Sequence, residues 1–172
     1  MKNSFLTYFF FIIFFNFNSF AEEFVFQTSE IKILDEGNYI EAMNGKAVSA
    51  DKNIEVNSVK FKYNKKKNLL IAFDGSALLK KENIKIDFQE IMIDQKNLVI
   101  STKKKTKITD LKRNLSLESI DVNFDKRKKI LESDTKTTLK DTYGNLISTE
   151  YFSFDMDKDI FKIENSKIQD SD

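Results

Sequence analysis

Cysteine, proline and histidine are absent from this chain, and glycine occurs only four times in 172 residues. Each absence closes off chemistry. Without histidine there is no side chain that ordinarily titrates near neutrality, and so no usual general base. Without cysteine there is no thiol nucleophile, no disulfide and no common zinc site. Glycine is too sparse for a phosphate-cradling loop, so the chain encodes no evident nucleotide-driven motor. These absences argue against an enzyme. The lack of proline suits uninterrupted strand ladders, because proline removes a ladder donor.

The first residues are apolar instead of charged. Lys2 is followed by a run from Phe5 to Phe15 broken only by Thr7, and Ser19-Phe20-Ala21 is a small-residue cleavage site before Glu22-Glu23. This reads as a secretory signal peptide over residues 1–21. Eleven residues span only about 16 Å as a helix, short of a bilayer core. No cysteine follows to carry a lipid anchor. The expected mature domain is 22–172. Removing Lys2 from the 28 basic residues leaves 27 against 27 acidic ones. A neutral chain lacks the basic excess of a general nucleic-acid binder, so no nucleic-acid partner is expected.

The mature part repeats. Copies start at Phe24, Ile54, Ile84 and Leu115, with a partial copy near Asn145, a period of about 30 residues. Ile31, Phe61, Ile91, Val122 and Phe152 form one column; Ile33, Tyr63, Ile93, Phe124 and Phe154 form the next, two residues on. Spacing of two places both on one strand face. The openings of the copies alternate too, as in Ile54/Val56 and Ile84/Ile86, but with the opposite parity. One residue is skipped mid-strand, as a bulge or corner requires. Turns are expected at 35–38, 51–53, 64–68, 80–83, 94–97, 125–129, 143–145 and 155–159. Short, regular strands with turns between them give an all-β fold, a repeat stack of antiparallel strands. In the return strands Leu69, Ile71 and Phe73 are expected to face inward, followed by Leu98, Ile100 and Thr102, then Ile130, Glu132 and Asp134 as the pattern weakens.

Polar motifs are plain. Asp155, Asp157 and Asp159 form a D-x-D-x-D run, but a calcium loop would need glycine where Ile160 stands and glutamate where Ser166 stands. A hairpin turn explains it better. The lysine runs at 65–67, 103–105 and 126–129 read as solvated turns or edge protection. No metal or cofactor is implied.

The repeats follow I-x-V-x-S-x-x-F-x-Y-N-(x)n-L-x-I-A, with Ala42-Met43-Asn44-Gly45-Lys46-Ala47-Val48 and Ala72-Phe73-Asp74-Gly75-Ser76-Ala77-Leu78 as glycine-containing copies. Behind a signal peptide, this pattern resembles the OstA/LptA-type periplasmic domain of lipopolysaccharide transport, from Phe24 to about Ile168. Both copies carry one residue more before the glycine than the family's form and lack its following asparagine. The resemblance implies a twisted β-jelly roll that holds lipopolysaccharide acyl chains between two sheets. It also implies partners joined by edge-strand pairing, either copies of itself or other lipopolysaccharide-transport proteins, in the periplasm or at the outer membrane. Some family members stand alone; others are the N-terminal domain of the outer-membrane assembly protein LptD. The expected lipid-lining residues are Phe26, Ile33, Ile54, Val56, Phe61, Tyr63, Ile71, Phe73, Ile86 and Ile93. Two other readings of the columns remain: a structural β-solenoid with a solid core and no lipid, and a small outer-membrane barrel.

Overall fold

A computed structural model describes residues 23–169, so the expected signal peptide lies outside the described residues. Within them every regular element but one 3-10 turn is a strand. Six long strands come first: β1 (Phe24–Leu34), β2 (Tyr39–Ser49), β3 (Ile54–Asn64), β4 (Leu69–Leu79), β5 (Ile84–Asp94) and β6 (Val99–Asp110). Eight short ones follow: β7 (Leu115–Ser119), β8 (Val122–Asp125), β9 (Ile130–Ser133), β10 (Thr137–Lys140), β11 (Leu146–Thr149), β12 (Tyr151–Asp155), β13 (Ile160–Glu164) and β14 (Lys167–Gln169). All pair antiparallel, each long strand with the next.

The mid-strand skip explains why the short strands come in pairs. Every long strand bends at its centre, where ladder pairing passes over one residue: Ser29, Asn44, Val59 and Asp74 fall between paired neighbours. In the C-terminal part the same bend breaks each strand in two, so β7 and β8 both pair with β6, on its separate halves. The sheet is thus creased along its whole length into two leaves. The first leaf continues through β7, β10, β11 and β14; the second through β8, β9, β12 and β13. The leaves face each other across one core, as the edge-on rings of Phe24 and Tyr63 show at 5.7 Å.

Local chemistry makes the crease. Asn44 and Asp74 hold φ of 49° and 52° there, a left-handed conformation that Asn and Asp tolerate best after glycine. The glycines beside them serve a different need. A Cβ on Gly45 would lie 2.2 Å from the Gln27 carbonyl oxygen, and one on Gly75 2.0 Å from that of Asn57, so the backbones approach too closely for any side chain. In the third copy Lys104 takes the left-handed place, and Lys104 and Lys105 together oppose the single Gln89. That bulge is the physical origin of the one 31-residue interval, from Ile84 to Leu115. Hydroxyls meet backbone groups left over at the corners. Ser58 Oγ has the Lys60 and Phe73 carbonyls within reach of its single hydroxyl hydrogen and accepts from the Phe73 amide at 3.1 Å.

The hairpin turns opposite the crease are Asx-capped. Asn64, Asp94, Asp125 and Asp155 accept amide hydrogens from Lys67, Asn97, Lys128 and Lys158. Amides and a lysine ammonium therefore hold carboxylates below their ordinary range: the Lys128 amide does so for Asp125, and the Lys158 side chain and amide for Asp155. Hydrogen bonds from Lys46 and Lys80 depress Glu55 in the same direction. A depressed folded pKa gives stability that is present above the unfolded value, near 4, and is lost as pH falls through the folded value. With no histidine to titrate, we expect a melting temperature level from about pH 8 to 5 that drops below about pH 4. Circular-dichroism melts across that range check it; a step near pH 6 would contradict it.

Candidate functional site

The two apolar columns lie where the sequence pattern puts them. Phe61, Ile91, Val122 and Phe152 in one, and Tyr63, Ile93, Phe124 and Phe154 in the other, are buried on the inner face of the second leaf. Ile54, Val56, Ile84 and Ile86 meet them from the first leaf. Ladder partners share a face, which carries the same face along every strand.

Of the ten expected lining residues, Ile54, Val56, Phe61, Tyr63, Ile86 and Ile93 are in this core. Phe26 is half-buried at its lip, its ring 5.7 Å from Phe61 and 5.9 Å from Tyr63. Ile33 stands opposite Ile40 on the inner face but is 62% exposed, because among the described residues β1 pairs with β2 alone. Ile71 and Phe73 are elsewhere. The inward positions of β4 are Leu70 and Ala72, opposite Tyr63 and Phe61. Ile71 and Phe73 turn to the outer face of the second leaf, in rows with Lys62 and Met92 and with Lys60 and Glu90. Leu69 shares that outer face. The same correction applies in β9, where Leu131 and Ser133 are buried and Ile130 and Glu132 are not. In β6, Ile100 and Thr102 do face inward, whereas Leu98 is a left-handed turn residue.

The core has two mouths. At the N-terminal end Ile31 and Ile33, the first members of the two columns, are 51% and 62% exposed. At the C-terminal end Phe161 and Ile163 continue those columns. They stand opposite Phe154 and Phe152 and are 39% and 37% exposed. Phe161 stacks on Phe154 at 4.0 Å. Both mouths are on the second leaf, in strands that have one ladder partner each among the described residues. Between the mouths, a cleft among Leu115, Leu117, Leu131, Phe152 and Phe154 holds only about 10 Å³. Toward the crease in the C-terminal half the interior becomes polar. Ser119, Ser133 and Thr137 are buried there, with Ser119 Oγ 2.9 Å from Ser133 Oγ and 3.1 Å from Thr137 Oγ1, so their hydroxyls satisfy one another.

No family model matches this chain, and no curated protein does. One solved structure that resembles it is that of LptH from Pseudomonas aeruginosa, described as the LptA homologous periplasmic component of the conserved lipopolysaccharide transport device. The two share 8% identity at a TM-score of 0.36, over 88% of this chain and 96% of that one.

The rim opposite the crease is stitched leaf by leaf. In the second leaf the Lys65 amide donates to the Asn38 carbonyl, Gln95 to Asn68, Lys126 to Leu98 and Met156 to Lys129, at 2.9–3.0 Å. In the first leaf Lys80 donates to Asn53 and Leu111 to Asn83. Each leaf is therefore continuous to its rim. Among the described residues two ion pairs cross from one leaf to the other there: Lys65–Glu23 at 3.7 Å and Arg113–Asp159 at 2.8 Å. The D-x-D-x-D carboxylates are all taken up by cations. Asp155 meets Lys158, Asp157 meets Lys129 and Asp159 meets Arg113. That is the hairpin reading of the motif. Among the described residues no helix is long and apolar enough to cross a membrane.

Proposed function

We propose that this chain is a periplasmic lipopolysaccharide-binding and transport module, one that shields acyl chains between its two leaves and passes them along an end-to-end assembly toward the outer membrane. The observation that carries the reading is the pair of mouths. Inward-facing apolar columns run the length of the molecule and emerge at both edge strands, where Ile31, Ile33, Phe161 and Ile163 are left in contact with water. Exposed apolar side chains continuous with an apolar interior suit a lipid tail. The motif resemblance and the expected signal peptide supply the ligand class and the compartment. No motor motif is present, so loading depends on a separate energy source.

The edges also suit one another. Counting a strand and its broken halves as one, ten strands alternate in direction along the stack. An even count makes the last strand of one copy antiparallel to the first strand of the next. Aligning Phe161 with Ile33 then aligns Ile163 with Ile31, so both columns continue across the joint without a change of face. Main-chain hydrogen bonds would supply the affinity. The same geometry fits a family partner with a matching edge.

The narrowness of the cleft under Phe152 and Phe154 supports a second reading, a structural β-stack with a solid core and no lipid. Photo-crosslinking separates the two. Crosslinkers at Phe26 and Ile33, at the inner lip, should label lipopolysaccharide; one at Phe73, on the outer face, should not. Equal labelling at all three sites, or at none, would leave the structural reading standing.

A further inference from the structure

A chain that takes acyl tails between its leaves must part them somewhere, and among the described residues the shorter of the two ion pairs across the rim is that of Arg113 with Asp159. Arg113 lies in the turn between β6 and β7, on the first leaf. Its Nη1 donates to Asp110 Oδ2 at 2.7 Å and its Nε donates to Asp159 Oδ1 at 2.8 Å. Its guanidinium carbon sits 5.0 Å from the centre of the Phe154 ring. One planar fork therefore grips both leaves and covers the apolar side chains beneath it, a geometry that lysine cannot reproduce.

The two grips differ. Asp110 is anchored: its side chain is 8% exposed, and its Oδ1 also accepts the amides of Lys112 and Arg113, both at 2.9 Å. Asp159 is loose: its side chain is 64% exposed on the turn between β12 and β13. Such a bond is fixed on the first leaf and releasable from the second. The neighbouring carboxylates on the Asp159 turn bind cations of their own leaf, Lys158 and Lys129, and so hold nothing across the rim. The narrow cleft lined by Leu115, Leu117, Leu131, Phe152 and Phe154 also has Asp110 in its wall, which places it directly under the latch. Farther along the second leaf's rim, Gln95 has both amide atoms buried with no hydrogen-bond partner, so its side chain makes no polar bond across the rim there.

We infer that Arg113 is a latch, and that releasing Asp159 lets the leaves part over the Phe152–Phe154 cleft so that an acyl tail slides in from the side. This rests on the acyl-carrying reading above, and the test keeps the two apart. Because the chain has no cysteine, spin labels at Lys112→Cys and Lys128→Cys report the separation of the leaves without background. Pulsed distance measurements are made with no lipid present, on wild type, Arg113→Met, Asp159→Asn and Asp157→Asn. Uptake of dansyl-labelled undecanoic acid is followed on the same proteins.

Arg113→Met and Asp159→Asn should lengthen and broaden the distance and raise the rate of uptake about fivefold, the scale of one partly exposed ion pair. Asp157→Asn should match wild type in both. Added salt should move wild type toward the Asp159→Asn behaviour and leave that variant unchanged, because salt screens the pair. Unchanged distances in the two latch variants would overturn the latch, and so would an equal response from Asp157→Asn. If the distances respond as expected but no protein takes up the probe, the latch stands and the acyl-carrying reading falls.

Discussion

A Phe61→Asp variant should lose most or all of its cooperative folding transition, while Phe73→Asp, twelve positions on, should melt close to wild type. Phe61 is fully buried on the inner face of the second leaf, between Ala42 and Ala72 on the neighbouring strands, with the Phe26 ring edge-on to it at 5.7 Å. Truncating a buried phenylalanine costs about 3–5 kcal/mol. A carboxylate in its place is also desolvated with no cation near, for several kcal/mol more. A domain of this kind has roughly 5–15 kcal/mol in all. Phe73 is on the outer face between Lys60 and Glu90, where an aspartate stays hydrated and gains a lysine neighbour. Its loss should be about 1 kcal/mol. Thermal melts of the two variants decide the matter. Similar losses in both would mean that the strand faces are assigned wrongly.

The second large effect concerns assembly. Ile31→Glu should abolish end-to-end association and leave the melting temperature nearly unchanged, because Ile31 is 51% exposed in the single chain. In the joint described above Ile31 faces Ile163 of the next copy, and a glutamate there would be buried opposite an isoleucine. An unpaired buried charge weakens binding by about 2–5 kcal/mol, roughly 30-fold or more in affinity. Ile163→Lys should fail in the same way. The double variant places glutamate opposite lysine at every joint and should recover part of the association. Sedimentation over a concentration series reads all four proteins. Wild type that stays monomeric alone and with a family partner removes the bridging role. Association of the double variant no better than that of either single one removes this register.

Much of the fold was legible because strands impose a period of two. Two columns of five residues in register, a parity change in the middle of each copy and turn residues at fixed joints are local signals, and local backbone geometry answers them directly: the skip became the crease and the joints became Asx-capped hairpins. What misled was β4. Leu69-Leu70-Ile71-Ala72-Phe73 is apolar at every position, so alternation cannot say which side faces the core, and size points the wrong way. The hairpin register settles it. Pairing of Asn64 with Leu69 forces Leu70 opposite Tyr63 and Ala72 opposite Phe61, where a small side chain fits beneath a large ring. The same ambiguity placed Ile71 and Phe73 among the lining residues.

The mouths and the latch needed the tertiary structure for another reason. Ile33 and Tyr63 carry the same pattern, yet one is exposed and the other buried, because burial depends on whether a next strand exists and not on the residue. Arg113 and Asp159 are 46 positions apart, in turns whose sequences carry no sign that they meet. The sequence alone determined the strands, their bend and which columns are apolar, since those follow from side-chain alternation along one chain. Only the creasing of the sheet decided which turns meet across the rim and where the core opens, since both depend on how the two leaves lie against each other.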